Sequence, residues 1–154
     1  MLGGIKLVNG TEFAQQVVKF GNETVPERLQ QIVRVASATA LYSLVRKTPV
    51  GMPETWAPQS LPPPPGYRPG KARGGWQVMI NRSTESDINR IDPSGTGTIA
   101  SGLAVIKRAG PFDTVQIFNN TPYILELERG HSRQAPHGMI SLTVAQLRTL
   151  RFNA

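Results

Sequence analysis

Residues 25–47 read VPERLQQIVRVASATALYSLVRK and form the clearest secondary-structure element of the chain. Thr24 and Glu27 have the spacing of a capping box, and Pro26 falls in the first turn, where proline is tolerated. Because Pro49 disfavours a helical conformation in the residue before it, the pattern predicts one helix over these residues, about 34 Å long. One face of this helix is marked by apolar side chains at helical spacing, namely Leu29, Ile32, Val33, Ala36 and Ala40.

The second half of this helix is apolar on more than one side. Four large side chains there cannot all face one core: Leu41, Tyr42, Leu44 and Val45. Either the helix is sandwiched between a sheet and a loop of its own chain, or part of its surface is buried against another subunit. Under the second hypothesis, the candidate subunit-interface residues are Leu41, Tyr42 and Val45.

A shorter helix is predicted upstream, after an apolar stretch at residues 5–8. Asn9 and Glu12 have capping-box spacing, and Gly21 can end the helix as a left-handed C-terminal residue. The apolar positions of this helix are Phe13, Val17 and Phe20. The sequence therefore predicts two separate helices before residue 48.

Alternating apolar and polar residues predict three strands downstream. The apolar positions are Trp76, Val78 and Ile80, then Val115 and Ile117, then Tyr123, Leu125 and Leu127. A turn at residues 119–121 joins the last two strands into an antiparallel hairpin, with Pro122 at a strand start or an edge. Glu126 and Glu128, two residues apart on the last strand, would share one solvent-facing side.

Two more helices complete the predicted order. Residues 99–106 and 142–150 carry apolar side chains at helical spacing, and Thr143 and Gln146 have the spacing of a capping pair. We therefore predict an α+β fold. It has a small, mostly antiparallel sheet of about three to four strands, with the long N-terminal helix and the C-terminal helix packed on it.

A long proline-rich loop is predicted at residues 49–75. Residues 49–70 contain eight of the thirteen prolines, which is typical of polyproline-type segments rather than of a core. The length of 154 residues predicts one domain over 1–154, and the absence of cysteine excludes disulfides and thiol catalysis. We expect neither a transmembrane helix nor a secretory signal, because no apolar run or leader pattern of the required kind is present.

No group of residues in the sequence indicates catalysis or a cofactor. Residues 95–100 (GTGTIA) have the form of a dinucleotide fingerprint, but no strand precedes them. The spacing of Glu128, His131 and His137 matches no helix or hairpin that would gather them around a metal. We therefore expect no enzymatic activity, no cofactor, no metal and no small-molecule substrate.

The net charge of +7 is concentrated in two parts of the chain. Residues 46–82 hold six basic residues against Glu54, and residues 129–154 hold four arginines and no acidic residue. A basic patch is typical of a polyanion site, although a solvated loop beside a helix end gives the same charge. The candidate contacts with a polyanion or an assembly partner are Arg46, Lys47, Arg68, Lys71 and Arg73.

Three blocks of sequence carry a resemblance to a known family. They are TPV at 48–50 with GKARGGWQV at 70–78, then NNTPY and LERG within 119–130, then SRQAPHGM at 132–139. In this order they are similar to the T-P-V-D-T-G-x-x-R-x-x-W, N-N-x-P-Y-x-x-x-L-E-x-G and S-x-Q-A-P-x-G-M patterns of the neck, or tail-completion, proteins of long-tailed bacteriophages and prophages. The match covers residues 25–150. It departs from the family at Gly51, where Asp is common, and in the proline-rich stretch that follows Val50.

The resemblance implies a virion protein at the junction of the phage head and tail, assembled in the host cytoplasm and without catalytic activity. It implies a homo-oligomeric ring of about six or twelve subunits, or a plug between rings, in contact with neck, connector and tail proteins. The neck layer stays open, as does the choice between packaged DNA and acidic proteins as the partner of the basic patch. From the residues themselves, we predict Trp76 to be a core anchor on the first strand. Structural roles are also expected for the motif residues Tyr123, Gly130, Pro136 and Met139.

A second hypothesis is a small basic nucleic-acid-binding protein. It predicts that the isolated chain binds DNA or RNA with a steep dependence on salt concentration.

Overall fold

The computed structural model describes residues 10–52 and 68–152. Their elements, in chain order, are α1 (Gly10–Lys19), a π-helical turn (Phe20–Thr24), α2 (Val25–Lys47), α3 (Lys71–Gly74), β1 (Trp76–Ile80), α4 (Thr96–Ile106), β2 (Val115–Asn119), α5 (Ile124–Glu128) and α6 (Ile140–Leu147). The α+β class and the long N-terminal helix are confirmed. The predicted apolar stretch at 5–8 and most of the predicted loop at 49–75 lie outside the described residues.

The two predicted N-terminal helices are one continuous helix, so the break predicted at Gly21 is wrong. Thr24 has helical dihedral angles (φ −66°, ψ −44°), and its side chain makes no capping hydrogen bond. The π-helical turn joins α1 to α2 instead. Such a turn replaces i→i+4 hydrogen bonds by i→i+5 bonds, and it fits the five-residue step between the apolar residues Phe20 and Val25.

The sheet has two strands among the described residues, fewer than the predicted three to four. Strands β1 and β2 pair antiparallel, with Trp76 opposite Asn119 and Ile80 opposite Val115. Strand β2 therefore pairs with the strand before it in the chain, and the predicted hairpin around residues 119–121 does not form.

The third predicted strand is instead the short helix α5. The carbonyl oxygen of Thr121 accepts a hydrogen bond from the N–H of Ile124, which starts a helical turn. Ile124 and Leu127, three residues apart, both pack against the core, whereas Leu125 is exposed. A strand would have placed Leu125 and Leu127 on the same face, so burial of the i, i+3 pair favours the helix.

Helix α6 begins and ends earlier than predicted, at Ile140 and Leu147, so Leu150 lies beyond it. Thr143 and Gln146 lie within the helix rather than at its start. The buried hydroxyls of Thr143 and Ser43 share a hydrogen bond of 2.7 Å, and Ser43 also donates to Oε1 of Gln146 (2.9 Å). The predicted capping pair therefore docks α6 onto α2.

The second half of α2 is the centre of the core. It packs against α4, β2 and α6, which together cover more than one side of it. The buried cluster consists of Leu41, Leu44, Val45, Trp76, Ile99, Ile106, Ala135 and Met139. Leu41 and Val45 are fully buried within their own chain, so they are not free for a subunit interface. The hypothesis of burial within one chain is correct for them, although the elements packed on α2 include helices α4 and α6 rather than only a sheet and a loop. Tyr42, which is 45% exposed, remains an interface candidate.

The described helices include none that is both long and apolar enough to span a bilayer.

Candidate assembly site

The two parts of the first sequence block, T-P-V and R-x-x-W, contact each other at the C-terminal end of α2. Thr48 is fully buried there, and its Oγ1 donates a hydrogen bond to the carbonyl oxygen of Leu44 (2.6 Å). The same Oγ1 accepts a hydrogen bond from Nε1 of Trp76 (2.7 Å). The carbonyl oxygen of Thr48 accepts hydrogen bonds from Nε and Nη2 of Arg73, at 3.1 and 2.8 Å. Residues from both sides of the proline-rich segment are thereby fixed to one helix end.

Arg73 is engaged by the backbone of its own chain. Its Nη1 donates a further hydrogen bond to the carbonyl oxygen of Pro93 (2.7 Å). Burial, followed by the positive charge of Arg46, lowers the pKa of Arg73 below its ordinary value, while Asp92 opposes the shift. The planar guanidinium can bond several acceptors at fixed angles, so Arg73 clamps the end of α2 to the loop before α4.

The third sequence block reaches the same place through Gln134. Its Nε2 donates a hydrogen bond to the carbonyl oxygen of Val50 (3.1 Å), and its Oε1 accepts one from the N–H of Val50 (3.2 Å). The described chain stops at Met52, two residues later, and resumes at Arg68. We define the motif junction as the five residues in these contacts: Thr48, Val50, Arg73, Trp76 and Gln134.

Glu128, from the second block, caps helix α6. Its Oε2 accepts hydrogen bonds from the N–H groups of Met139 (2.7 Å) and Ile140 (2.8 Å). Its Oε1 accepts from the N–H (3.0 Å) and the hydroxyl (2.8 Å) of Ser141. Burial raises the pKa of Glu128, but these hydrogen bonds outweigh it and hold the pKa below its ordinary value. The predicted pair of solvent-facing carboxylates is therefore wrong for Glu128.

Two glycines allow the loop between α5 and α6 to close. Gly130 (φ +85°) and Gly138 (φ +74°) both adopt the left-handed conformation. A Cβ at Gly130 would collide with the carbonyl oxygen of Pro136, and one at Gly138 would collide with the backbone and carboxylate of Glu128. Met139, next in the chain, is fully buried, while Pro136 is exposed. The second and third sequence blocks are thus two sides of one closed loop.

The Gly130→Ala variant is expected to be destabilised by about 1–2 kcal/mol from the left-handed conformation alone, with the collision against Pro136 adding to it. The measurement is the free energy of unfolding in urea. Gly21→Ala is the matched control, because a Cβ at Gly21 meets no atom within 4 Å apart from its chain neighbours and the backbone of its own helix. We expect the control to gain about 0.5–1 kcal/mol or stay unchanged. Equal effects at the two positions would contradict the proposed role of Gly130.

The five predicted basic contacts do not form one open patch. Arg46 and Arg68 are exposed. Lys71 forms a salt bridge with Asp87 (3.0 Å), and Arg73 bonds the backbone as described above. Lys47 donates hydrogen bonds to Ser43 and to Oε1 of Gln146 (3.0 Å), so it joins α2 to α6.

The asparagines of the second block hold β2 to the segments beside it. Asn119 donates from Nδ2 to the carbonyl oxygen of Ala72 (2.7 Å), and its Oδ1 accepts from the N–H of Thr121 (3.0 Å). Asn120 donates from Nδ2 to the carbonyl oxygen of Thr84 (2.7 Å). Tyr123, predicted on a hairpin strand, is instead the half-buried residue that precedes α5.

Asp92 has a capping role that sequence reasoning missed. Its Oδ1 accepts hydrogen bonds from the N–H of Gly95 and the hydroxyl of Ser94, both at 2.9 Å. Its Oδ2 accepts from the N–H (2.7 Å) and hydroxyl (2.8 Å) of Thr98. The N-terminus of α4 is therefore occupied by a carboxylate of the same chain. In the fingerprint-like GTGTIA segment, the N–H groups of Gly95 and Thr98 therefore donate to Asp92, so they are not free for a dinucleotide.

Among the described residues no three His, Cys, Asp or Glu side chains form a metal-binding group. Glu128 faces α6, while Nδ1 of His131 lies 3.2 Å from a carboxylate oxygen of Glu126.

No protein-family model, curated protein or solved structure matches the chain.

Proposed function

We propose that the chain is a structural subunit of a bacteriophage neck, a tail-completion or head–tail joining protein that assembles into a ring or plug between the head connector and the tail. One observation supports this most: two of the three blocks that carry the family resemblance converge on the motif junction. The hydrogen bonds of Trp76 and Arg73 to Thr48, and of Gln134 to Val50, join parts of the chain that are distant in sequence. Chance matches to short motifs have no reason to contact one another.

The second block supports the same proposal from the neighbouring loop. Glu128 of L-E-x-G accepts hydrogen bonds from Met139, the last residue of the third block, and from Ile140 and Ser141 after it. Gly130 lies against Pro136 of the same block. The motif residues are thus engaged in contacts within the chain, which fits a scaffold better than a reactive site. Recognition of partners would fall to exposed side chains near the junction, such as Tyr42, Arg46 and Arg68.

The nucleic-acid alternative rests on fewer free cations than the sequence suggests. Lys71 is paired with Asp87, and Arg73 is bonded to the backbone at Thr48 and Pro93. The remaining basic side chains would attract acidic protein surfaces as strongly as phosphate groups, because the electrostatic attraction acts on any negative charge.

Deleting the coding sequence from the phage or prophage that carries it tests the proposal. We expect DNA-filled heads and free tails that fail to join, and we expect joined particles to return when the chain is supplied from a plasmid. Electron microscopy and the infectious titre measure the two outcomes. Normal numbers of joined particles without the chain would overturn the proposal. Binding of the purified chain to duplex DNA, with a linear fall of log affinity against log salt, would favour the alternative.

A further inference from the structure

The segment between α4 and β2 contains a tight turn that presents one aromatic ring to solvent. We call residues 110–113 the Phe112 turn. Phe112 is 79% exposed, more than any other large apolar side chain of the described residues. The ring therefore contributes little apolar burial to its own chain, and a partner that covered it would gain that burial.

The acidic residue of the Phe112 turn holds the turn in one conformation. Oδ2 of Asp113 accepts a hydrogen bond from the N–H of Gly110 (2.7 Å), and its Oδ1 accepts one from Nδ2 of Asn81 (2.7 Å). These two bonds lower the pKa of Asp113 below its ordinary value. Oδ1 of Asn81 accepts in turn from the N–H of Thr114 (2.8 Å). Because the backbone is already fixed, a partner that binds the ring pays little for ordering it.

The start of the Phe112 turn is attached to the long helix α2. Ala109 is fully buried, and its carbonyl oxygen accepts hydrogen bonds from Nε2 of Gln30 (3.2 Å) and Nε of Arg34 (2.9 Å). The turn is thus held by α2 on one side and by the residue after β1 on the other.

The surface around the ring is basic. Its basic residues either precede the ring by four or five positions or adjoin the bonds just described, and they are Arg34, Arg82, Lys107 and Arg108. Its acidic residues are Asp113 and Glu27, which precedes Gln30 by three positions on α2. Four basic residues against two acidic ones give a net charge of +2. Lys107 and Arg108 are exposed, and no ion pair in the described part of the chain involves them.

A single fixed ring within a basic surface matches one kind of partner best, a protein with an apolar pocket and an acidic rim. Protein interfaces gain most of their affinity from a few well-packed side chains at the centre, with polar and charged residues around them. Affinity for nucleic acid comes instead from many neutralised phosphates along a basic stripe. A net charge of +2 around one ring is too small for that mode of binding.

We propose that the Phe112 turn docks into an apolar pocket rimmed by acidic residues on a neighbouring neck or tail protein. The inference rests on the proposed function, because it names a surface through which the neck subunit would contact the next layer and the chemistry of the partner that it fits.

Joining of phage heads to tails in vitro tests the inference. Heads and tails from the deletion phage are mixed with the purified chain, and electron microscopy gives the concentration of chain at which half of the heads are joined. For Phe112→Ala we expect this concentration to rise about thirtyfold, as for loss of a central interface side chain. Leu125→Ala is the matched control, because Leu125 is also a strongly exposed apolar residue (61%), and we expect no change. Thermal unfolding checks that both variants are folded.

The salt dependence of the same reaction tests the acidic rim. We expect Lys107→Gln combined with Arg108→Gln to weaken joining at low salt and to make joining less sensitive to added NaCl. Arg148→Gln combined with Arg151→Gln removes the same charge from exposed residues elsewhere, so we expect the salt dependence of wild type.

A photoreactive benzoylphenylalanine in place of Phe112 identifies the partner in the joined particles. We expect a cross-link to one neck or tail protein, at an apolar segment flanked by Asp or Glu, and no such product when the same group replaces Leu125. Equal joining by Phe112→Ala and wild type would overturn the inference, as would cross-links from position 112 only to DNA or only to another copy of the chain.

Failure of the inference is distinguishable from failure of the proposed function. If the wild-type chain joins heads to tails and Phe112→Ala joins them equally well, the neck assignment stands and the docking surface fails. If the wild-type chain does not join them, the neck assignment fails, and with it the neck or tail protein as the partner.

Discussion

Replacing Trp76 by alanine is expected to lower the free energy of unfolding by about 3–5 kcal/mol, which is typical of large-to-small changes in a core. Trp76 is only 2% exposed and lies in the same buried cluster as Leu41, Val45 and Met139. Its removal leaves a cavity and takes the indole N–H away from Oγ1 of Thr48. Because a whole domain is stable by only about 5–15 kcal/mol, we expect a large loss of folded protein on mild heating.

Far-UV circular dichroism during urea denaturation measures this effect without relying on the fluorescence of the removed tryptophan. The Trp76→Phe variant keeps an aromatic ring but loses the hydrogen bond, so we expect a smaller loss that separates packing from hydrogen bonding. Phe112→Ala is the control, because Phe112 is 79% exposed, and we expect a change within about 0.5 kcal/mol. If Trp76→Ala were no worse than this control, Trp76 would not be a core anchor.

The elements with strong periodicity were predictable from the sequence, whereas the short helices α3 and α5 were not. Helix α2 has the predicted bounds, and strand β1 contains the predicted apolar positions Trp76, Val78 and Ile80, because the apolar pattern of each runs over the whole element. Residues 123–127 have alternating apolar and polar side chains, yet residues 124–128 form a helix, since so short a segment satisfies both periods. The helix is favoured by packing of the half-buried Ile124 and Leu127 against the core, a tertiary contact that the local pattern does not contain.

The apolar spacing of the sequence indicates a continuous N-terminal helix, whereas the capping patterns indicate a break. Thr24 and Glu27 match a capping box, and Gly21 matches a helix end, so both suggest a break. The apolar spacing suggests otherwise, because the step from Phe20 to Val25 is one residue too long for an α-helix and fits a π-helical turn. Capping motifs are therefore weak evidence where an apolar row continues through them.

The resemblance marked all five residues of the motif junction but none of their contacts. Trp76 was predicted as a core residue from its strand pattern, and this is confirmed. The interface role predicted for Leu41 and Val45 failed because α4, β2 and α6 cover α2 from several sides within one chain. The capping role of Glu128 acts across eleven to thirteen residues of chain, far outside the three-residue spacing that identifies a capping box.

The Glu128→Gln variant is expected to lose about 1.5–3 kcal/mol of unfolding free energy near neutral pH, as for other hydrogen bonds to a charged group. Glu128 receives three backbone N–H groups and one hydroxyl at the start of α6, and its negative charge also interacts favourably with the helix dipole. Glutamine keeps one acceptor oxygen and loses the charge. Urea denaturation of both proteins measures the difference.

The same difference is expected to depend on pH. Because the folded-state pKa of Glu128 is lowered, its carboxylate stabilises the fold fully above the unfolded-state pKa of about 4.3, and this contribution disappears as the pH falls through the folded-state value. The stability gap between wild type and Glu128→Gln should therefore be constant near neutral pH and narrow on acidification. Asp92 also has a lowered pKa, but it is present in both proteins, so its contribution cancels in the comparison.

Glu126→Gln provides a matched control two residues away. The Glu126 side chain is 48% exposed, and its carboxylate contacts Arg129 (3.6 Å) and His131 (3.2 Å) at the surface. Exposed ion pairs contribute little, so we expect a change within about 0.5 kcal/mol at neutral pH. Two results would show that the Glu128 carboxylate does not cap α6. One is a loss of unfolding free energy in Glu126→Gln as large as that in Glu128→Gln. The other is a stability difference between wild type and Glu128→Gln that widens as the pH falls. The opposite result would establish that one side chain joins the L-E-x-G block to the helix that follows the third block.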